Sequence, residues 1–219
     1  MTYLDIVNKV LRRLRESEAI TVQGAGNTNA YPRLIGDYVN EAKAQIETSY
    51  DWSALRDTLT LTTAANTFNY VLVGAENSFK TLDVWNDTSK LEMRYQTSHW
   101  FNQQFLPDAP AKGAPTYYNY NGVDANGDSQ VDIFPIPDKV YTVRFNVTKR
   151  NPELSADADI VVIPTRPIIL LAVAMAIEER GEDGGQQSIN AYQMAQSAMA
   201  DEIALDAARH PEDSIWYSV

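Results

Sequence analysis

The sequence predicts an α+β fold: a helical bundle of four main helices, an antiparallel β-sheet domain inserted between helices two and three, and an extended C-terminal tail. Three observations lead there. The run Pro167 to Ile177 is apolar on every side of a helical wheel, so its helix must sit at the centre of something. From Arg56 the apolar period changes from about 3.6 residues to about 2, the change from helix to strand. After Ile160 the chain returns to helical patterning. The expected boundaries are 1–55 and 160–208 for the bundle, 56–159 for the β insertion and 209–219 for the tail.

The first helix starts at Thr2, a cap whose partner three residues on is Asp5. Leu4, Val7, Leu11 and Leu14 share one face, with Tyr3 and Val10 beside them. Lys9, Arg12, Arg13 and Arg15 fall largely elsewhere. This basic cluster reads either as a solvated face that complements the helix end or as a contact to an acidic neighbour. Ser17 to Ala30 is a loop. Its Gly24-Ala-Gly26 lacks the lysine and hydroxyl of a P-loop and the third glycine of a dinucleotide fingerprint. The second helix begins near Tyr31-Pro32, with Ile35, Tyr38 or Val39, Ala42, Ile46 and Ser49 along its face. Trp52 is expected to fold over the bundle.

In the insertion, Leu59 and Leu61, then Phe68, Tyr70 and Leu72, alternate about a turn at Thr63–Asn66, which reads as a hairpin. Phe79–Trp85 is a strand, with Lys90–Tyr95 as its expected partner. Thr97 or Ser98 opens a short helix. Thr116–Tyr120, Gln130–Phe134 and Val140–Thr148 are further strands. The last helix carries Ile189, Tyr192, Ala195 or Gln196, Met199 and Ile203 at steps of three and four, and folds back on the apolar helix as a helical hairpin.

Composition narrows the function classes. The chain of 219 residues has no cysteine, which removes disulfides, thiolate metal sites and cysteine nucleophiles together. No signal peptide is expected at the N-terminus. A reducing compartment is expected. The apolar run is short of the ~20 residues that a bilayer span needs, so no membrane association is expected. A net charge of −11 reads first as solubility; it also disfavours clamping duplex DNA and suits a surface that DNA slides past.

Candidate chemistry is sparse. Asp124, Asn126 and Asp128 place oxygen ligands at alternate positions, as calcium loops do. Ser129 and Pro135 stand where such a loop has its glycine and its bidentate glutamate. Asn126-Gly127 is itself a hairpin-turn signal, and the turn alone is the favoured reading. His99 and His210 are too far apart in sequence to suggest a metal site, and no HExxH or GxSxG is present. Glu178, Glu179, Glu182 and Asp183 crowd one helix end. They read first as a solvated end. A two-carboxylate glycosidase site is the alternative. Tyr117, Tyr118 and Tyr120 cluster in one strand. In the tail, Ile215, Trp216 and Tyr217 dock either on the chain's own core or on a partner, where Trp216 is the expected anchor.

The order and spacing of several segments resemble the head-to-tail adaptor proteins of tailed phages, called tail tubular protein A or connector adaptors in the short-tailed kind. These segments are Thr2–Asn8, Leu34–Lys43, Tyr50–Arg56, Phe134–Pro137, Ile163-Pro164 and Glu178–Asp183. The resemblance covers most of the chain. It implies a dodecameric ring beneath the portal protein, joined to the tail nozzle, with genomic DNA passing unbound through the lumen. The bundle would form the ring wall, the C-terminal segment would reach along the portal, and the β insertion would face outward or toward tail components. It further implies a virion protein made in the host cytoplasm, with no catalytic residue, no cofactor and no membrane. The rival class is a virion-associated, peptidoglycan-cleaving glycosidase built on the carboxylate cluster.

Overall fold

The computed structural model describes residues 1–22, 30–74, 79–181 and 185–209. Its helices are α1 (Tyr3–Arg13), α2 (Ala30–Ser49), α3 (Ser98–Phe105), α4 (Thr165–Arg180) and α5 (Gln186–Ala207). Its strands are β1 (Arg56–Thr62), β2 (Asn69–Val71), β3 (Phe79–Asn86), β4 (Leu91–Glu92), β5 (Arg94–Tyr95), β6 (Tyr117–Val123), β7 (Ser129–Phe134) and β8 (Thr142–Lys149). The chain divides into two compact units: Met1–Leu55 with the chain from Arg150 onward, and Arg56–Lys149.

In the helical unit, α4 is buried from Pro167 to Ala176 except at Leu171, as an all-apolar helix must be. It ends at Gly181, whose φ of 63° is the left-handed cap that glycine adopts freely. The other helices pack on it. α1 opens with a reciprocal capping box: Asp5 N–H donates to Thr2 Oγ1 at 3.2 Å, and Thr2 N–H donates to Asp5 Oδ2 at 3.3 Å. Its buried face is Tyr3, Ile6, Val7, Val10 and Leu11. Gly36 lets α1 and α2 close together, because a Cβ there would collide with the Tyr3 hydroxyl and with Val22 Cγ1.

α5 departs from the expected face. Ile189 is half-exposed, Tyr192, Met199 and Ile203 are only partly covered, and Ser188, Ala195, Ala198 and Asp206 are the buried positions. Its small residues let it lie close against α4.

The expected layout of the whole molecule is overturned. In place of four main helices and one inserted antiparallel sheet, the described residues form five α-helices and two four-stranded sheets. The molecule is α+β, but the inserted unit is two sheets sharing one core. One sheet has the order β1-β8-β3-β4, the other β2-β7-β6-β5. β5 runs parallel to β6. The shared core joins Leu61, Val84, Val143, Phe145 and Val147 to Val131, Ile133 and Tyr118.

Two expected strand pairs are also corrected. β1 and β2 do not form a hairpin: β1 pairs with β8 and β2 with β7. The reason lies in the turn between them. The Tyr70 hydroxyl accepts from Ala64 N–H and bonds to the Thr67 carbonyl at 2.7 Å, while Thr63 continues the ladder toward Tyr141. The segment therefore crosses between sheets. Lys90–Tyr95 splits likewise. Leu91 and Glu92 stay with β3, Met93 is buried, and Arg94 and Tyr95 join β6.

Candidate functional site

The end of α5 is held by a side chain that periodicity does not single out. The Asp206 carboxylate accepts from Ser53 N–H at 2.9 Å and from Ser53 Oγ at 2.6 Å. Asp206 is buried, and the two residues are 153 positions apart. Trp52, beside Ser53, is 1% exposed and donates its indole N–H to the Ile46 carbonyl at 2.8 Å. A cleft of about 440 Å³ lies here, lined by Trp52, Val162, Ile163, Leu205 and Arg209 among others. Val162 and Leu205 are exposed in it, at 50% and 64%. The tail residues Ile215, Trp216 and Tyr217 lie outside the described residues, as do His210, Glu182, Asp183 and the loop 23–29.

A second cleft, of about 480 Å³, is basic. Lys9, Arg12 and Arg13 of α1 line it with Arg166 and Ile169 of α4. Lys9 and Arg13 are one turn apart and share a helix face. Arg12 reaches the exposed Glu18 at 3.4 Å and Arg166 reaches the exposed Asp201 at 3.5 Å, both weak surface pairs. Arg13 makes no ion pair among the described residues.

At the other end of α4, Glu178 and Glu179 are exposed. Tyr192 donates its hydroxyl proton to Glu178 Oε2 at 2.6 Å. Its pKa is pushed up to about 12, by burial first and then by the Glu178 bond and the charges of Glu178 and Glu41. Burial also raises Tyr38, with the charges of Glu179, Glu41 and Glu178 adding to it. Glu178 and Glu179 are thus exposed, consecutive acids at the end of α4; the charges of Glu178 and of the exposed Glu41 on α2 act on both tyrosines, and that of Glu179 acts on Tyr38. Arg180 turns away from them. Its guanidinium donates to Glu16 at 2.7 Å and to the Tyr31 hydroxyl at 2.9 Å, and lies over the Tyr31 ring.

The candidate cation loop joins β6 to β7. Asp124 Oδ1 accepts from the backbone N–H of Asn126 at 2.8 Å and of Asp128 at 2.9 Å, and Oδ2 accepts from the Asn126 side-chain amide at 3.2 Å. Asp128 Oδ1 accepts from Gly74 N–H at 3.0 Å. The Asp124 carboxylate thus closes the turn, and the Asp128 carboxylate ties the loop to Gly74. Gly127, at φ 90°, supplies the backbone bend that such a turn requires. His99 is exposed on α3 and meets the Gln103 side-chain amide at 3.1 Å. Among the described residues no three His, Cys, Asp or Glu side chains gather in a way that could hold a metal ion, and no helix is long and apolar enough to cross a membrane. The clustered tyrosines are packing residues: Tyr118 is buried, Tyr120 bonds to Thr81, and Tyr117 lies 4.8 Å from Trp100.

The SU10 adaptor protein family matches this chain over residues 1–215, nearly its whole length. The chain belongs to the SU10 adaptor protein family. No curated protein matches it significantly. As an SU10 adaptor it is a structural component of a phage virion and associates with other virion components.

One buried ionic site went unread in the sequence. Lys43 and Glu47, both nearly inaccessible, pair at 3.1 Å on α2. Lys43 also donates to the carbonyls of Asn151 at 2.8 Å and Pro152 at 3.1 Å. Their i,i+4 spacing was visible in the sequence, but that spacing is ordinary on exposed helix faces.

Proposed function

We propose that this SU10 adaptor forms a ring that joins the portal protein to the tail nozzle, with genomic DNA passing through its lumen. The observation that carries this is the family match over 1–215. A dodecamer is the stoichiometry that the resemblance implies. The acidic balance, −11 overall, supports a channel that DNA passes without adhering. Portal attachment falls to the tail, with Ile215, Trp216 and Tyr217 as its anchors. The Ser53–Asp206 lock supports this assignment, since it fixes the point from which the tail departs. The β unit is the part offered to tail components.

The test is native mass spectrometry of the chain alone and mixed with the portal ring from the same genome. The full chain adds many copies per portal ring. A chain lacking 211–219 keeps its circular dichroism spectrum and loses most of its portal-bound mass. A truncated chain that binds the portal normally removes the tail from the reading. A full chain that never adds to the portal removes the adaptor ring.

A further inference from the structure

The helical unit carries two surface patches of opposite sign at opposite ends of its central helix. The basic cleft stands at the start of α4, beside Arg166 and Ile169, with Lys9, Arg12 and Arg13 on α1. At its end stand the exposed acids Glu178, which accepts from the Tyr192 hydroxyl, and Glu179, with the exposed Glu41 of α2 acting on Tyr38 and Tyr192. Arg166 and Glu178 are about 18 Å apart by helical rise. The α4 half of the unit is itself acidic, so the cleft takes most of its positive charge from α1. From residue 151 onward, Asp and Glu outnumber Lys and Arg by 12 to 3.

We propose that the basic cleft of one copy receives the acidic patch of a second copy, so that neighbouring subunits meet head to tail through these two patches. This rests on the ring reading above. A closed ring needs a heterologous interface, in which two different patches of the same chain are complementary. Two patches of opposite sign, displaced along one rigid helix, meet that need. A patch that mates with itself would place like charges together. The cations that carry the contact are Lys9 and Arg13, since Arg12 and Arg166 already have surface partners. Glu41 and Glu179 are the acids that face them, because Glu178 is held by Tyr192. The half-buried rings of Tyr38 and Tyr192 beside the acids give the patch an apolar floor, and Ile169 does the same in the cleft.

The experiment uses the full chain in two charge-reversed forms, Lys9→Glu with Arg13→Glu, and Glu41→Lys with Glu179→Lys. Assembly is followed by native mass spectrometry, alone and on the portal ring, with circular dichroism confirming the fold of each form. Each form by itself assembles on the order of tenfold more weakly than the natural chain, and a one-to-one mixture of the two restores assembly. Raising salt from about 50 mM to about 500 mM weakens the natural assembly and leaves the reversed forms little changed. Forms that each assemble normally overturn this interface and leave the ring standing. So does a mixture that fails to recover. A natural chain that stays a monomer, even with the portal, overturns the ring reading itself. If the natural chain binds duplex DNA and the Lys9→Glu, Arg13→Glu form does not, the cleft serves phosphate, and the subunit contact is overturned.

Discussion

The helical unit and the β unit bury polar groups to different ends. In the helical unit, buried polar side chains tie together stretches that the β insertion separates. Lys43 reaches Asn151 and Pro152, Ser53 reaches Asp206, and the Asn40 side chain exchanges two hydrogen bonds with Leu154 at 3.0 and 2.9 Å. In the β unit they bind neighbours on adjacent strands and turns. Asn69 donates to Asp132 across a strand pair, and Asn119 donates to Ser98 at the start of α3. The difference teaches where a discontinuous domain is vulnerable. A unit assembled from two chain segments depends on the polar contacts that join them, whereas an uninterrupted unit holds its strands chiefly by the ladder and the shared core.

The sharpest way to break that contrast is Lys43→Met. It strands the Glu47 carboxylate in the interior and leaves two carbonyls without their donor, so urea unfolding should show a loss of about 3–5 kcal/mol. A smaller loss would mean that water reaches Glu47. Next is Gly36→Ala, which forces α1 and α2 apart at Tyr3 and Val22 and should cost about 1–3 kcal/mol in the same assay. In the β unit, Asp132→Asn removes a buried charge whose partners are amides. The unfolding free energy should move by no more than about 1 kcal/mol in either direction. A loss as large as that at Lys43 would erase the distinction between the units.

The smallest effect is a pH dependence. Burial raises the Glu47 carboxyl above its ordinary 4.5, against the pull of Lys43. The native state therefore holds that proton more tightly than the unfolded chain does. The resulting stability is fully present below pH 4.5 and is lost as pH rises through the raised native value. Compared with Glu47→Gln, the natural chain should be relatively most stable below pH 4.5 and lose ground toward neutrality. A difference that stays flat with pH would show that Lys43 fully offsets the burial.

Much of the local structure was readable in the residues. Thr2 with Asp5, the apolar run of α4, the Thr97 cap of α3 and the alternation of Val143, Phe145 and Val147 all follow from short-range rules. The candidate sites were less so. The basic cluster on α1 was visible, but that Arg166 completes a cleft with it was not. The spacing of Asp124, Asn126 and Asp128 read first as a turn and second as a ligand set, and the hydrogen bonds of Asp124 are those of a turn.

What the sequence determined by itself is which residues turn inward within most of the helices and strands, α5 apart. Backbone geometry repeats every 3.6 or 2 residues, and that repeat is written in the order of the side chains. Only the tertiary structure decided that the insertion holds two sheets, that β1 joins β8 and not β2, and that α5 is anchored through Asp206. These outcomes depend on contacts between distant positions. A strand with one apolar face can pair with any other of the same pattern, and the choice falls to the arrangement that closes a common core.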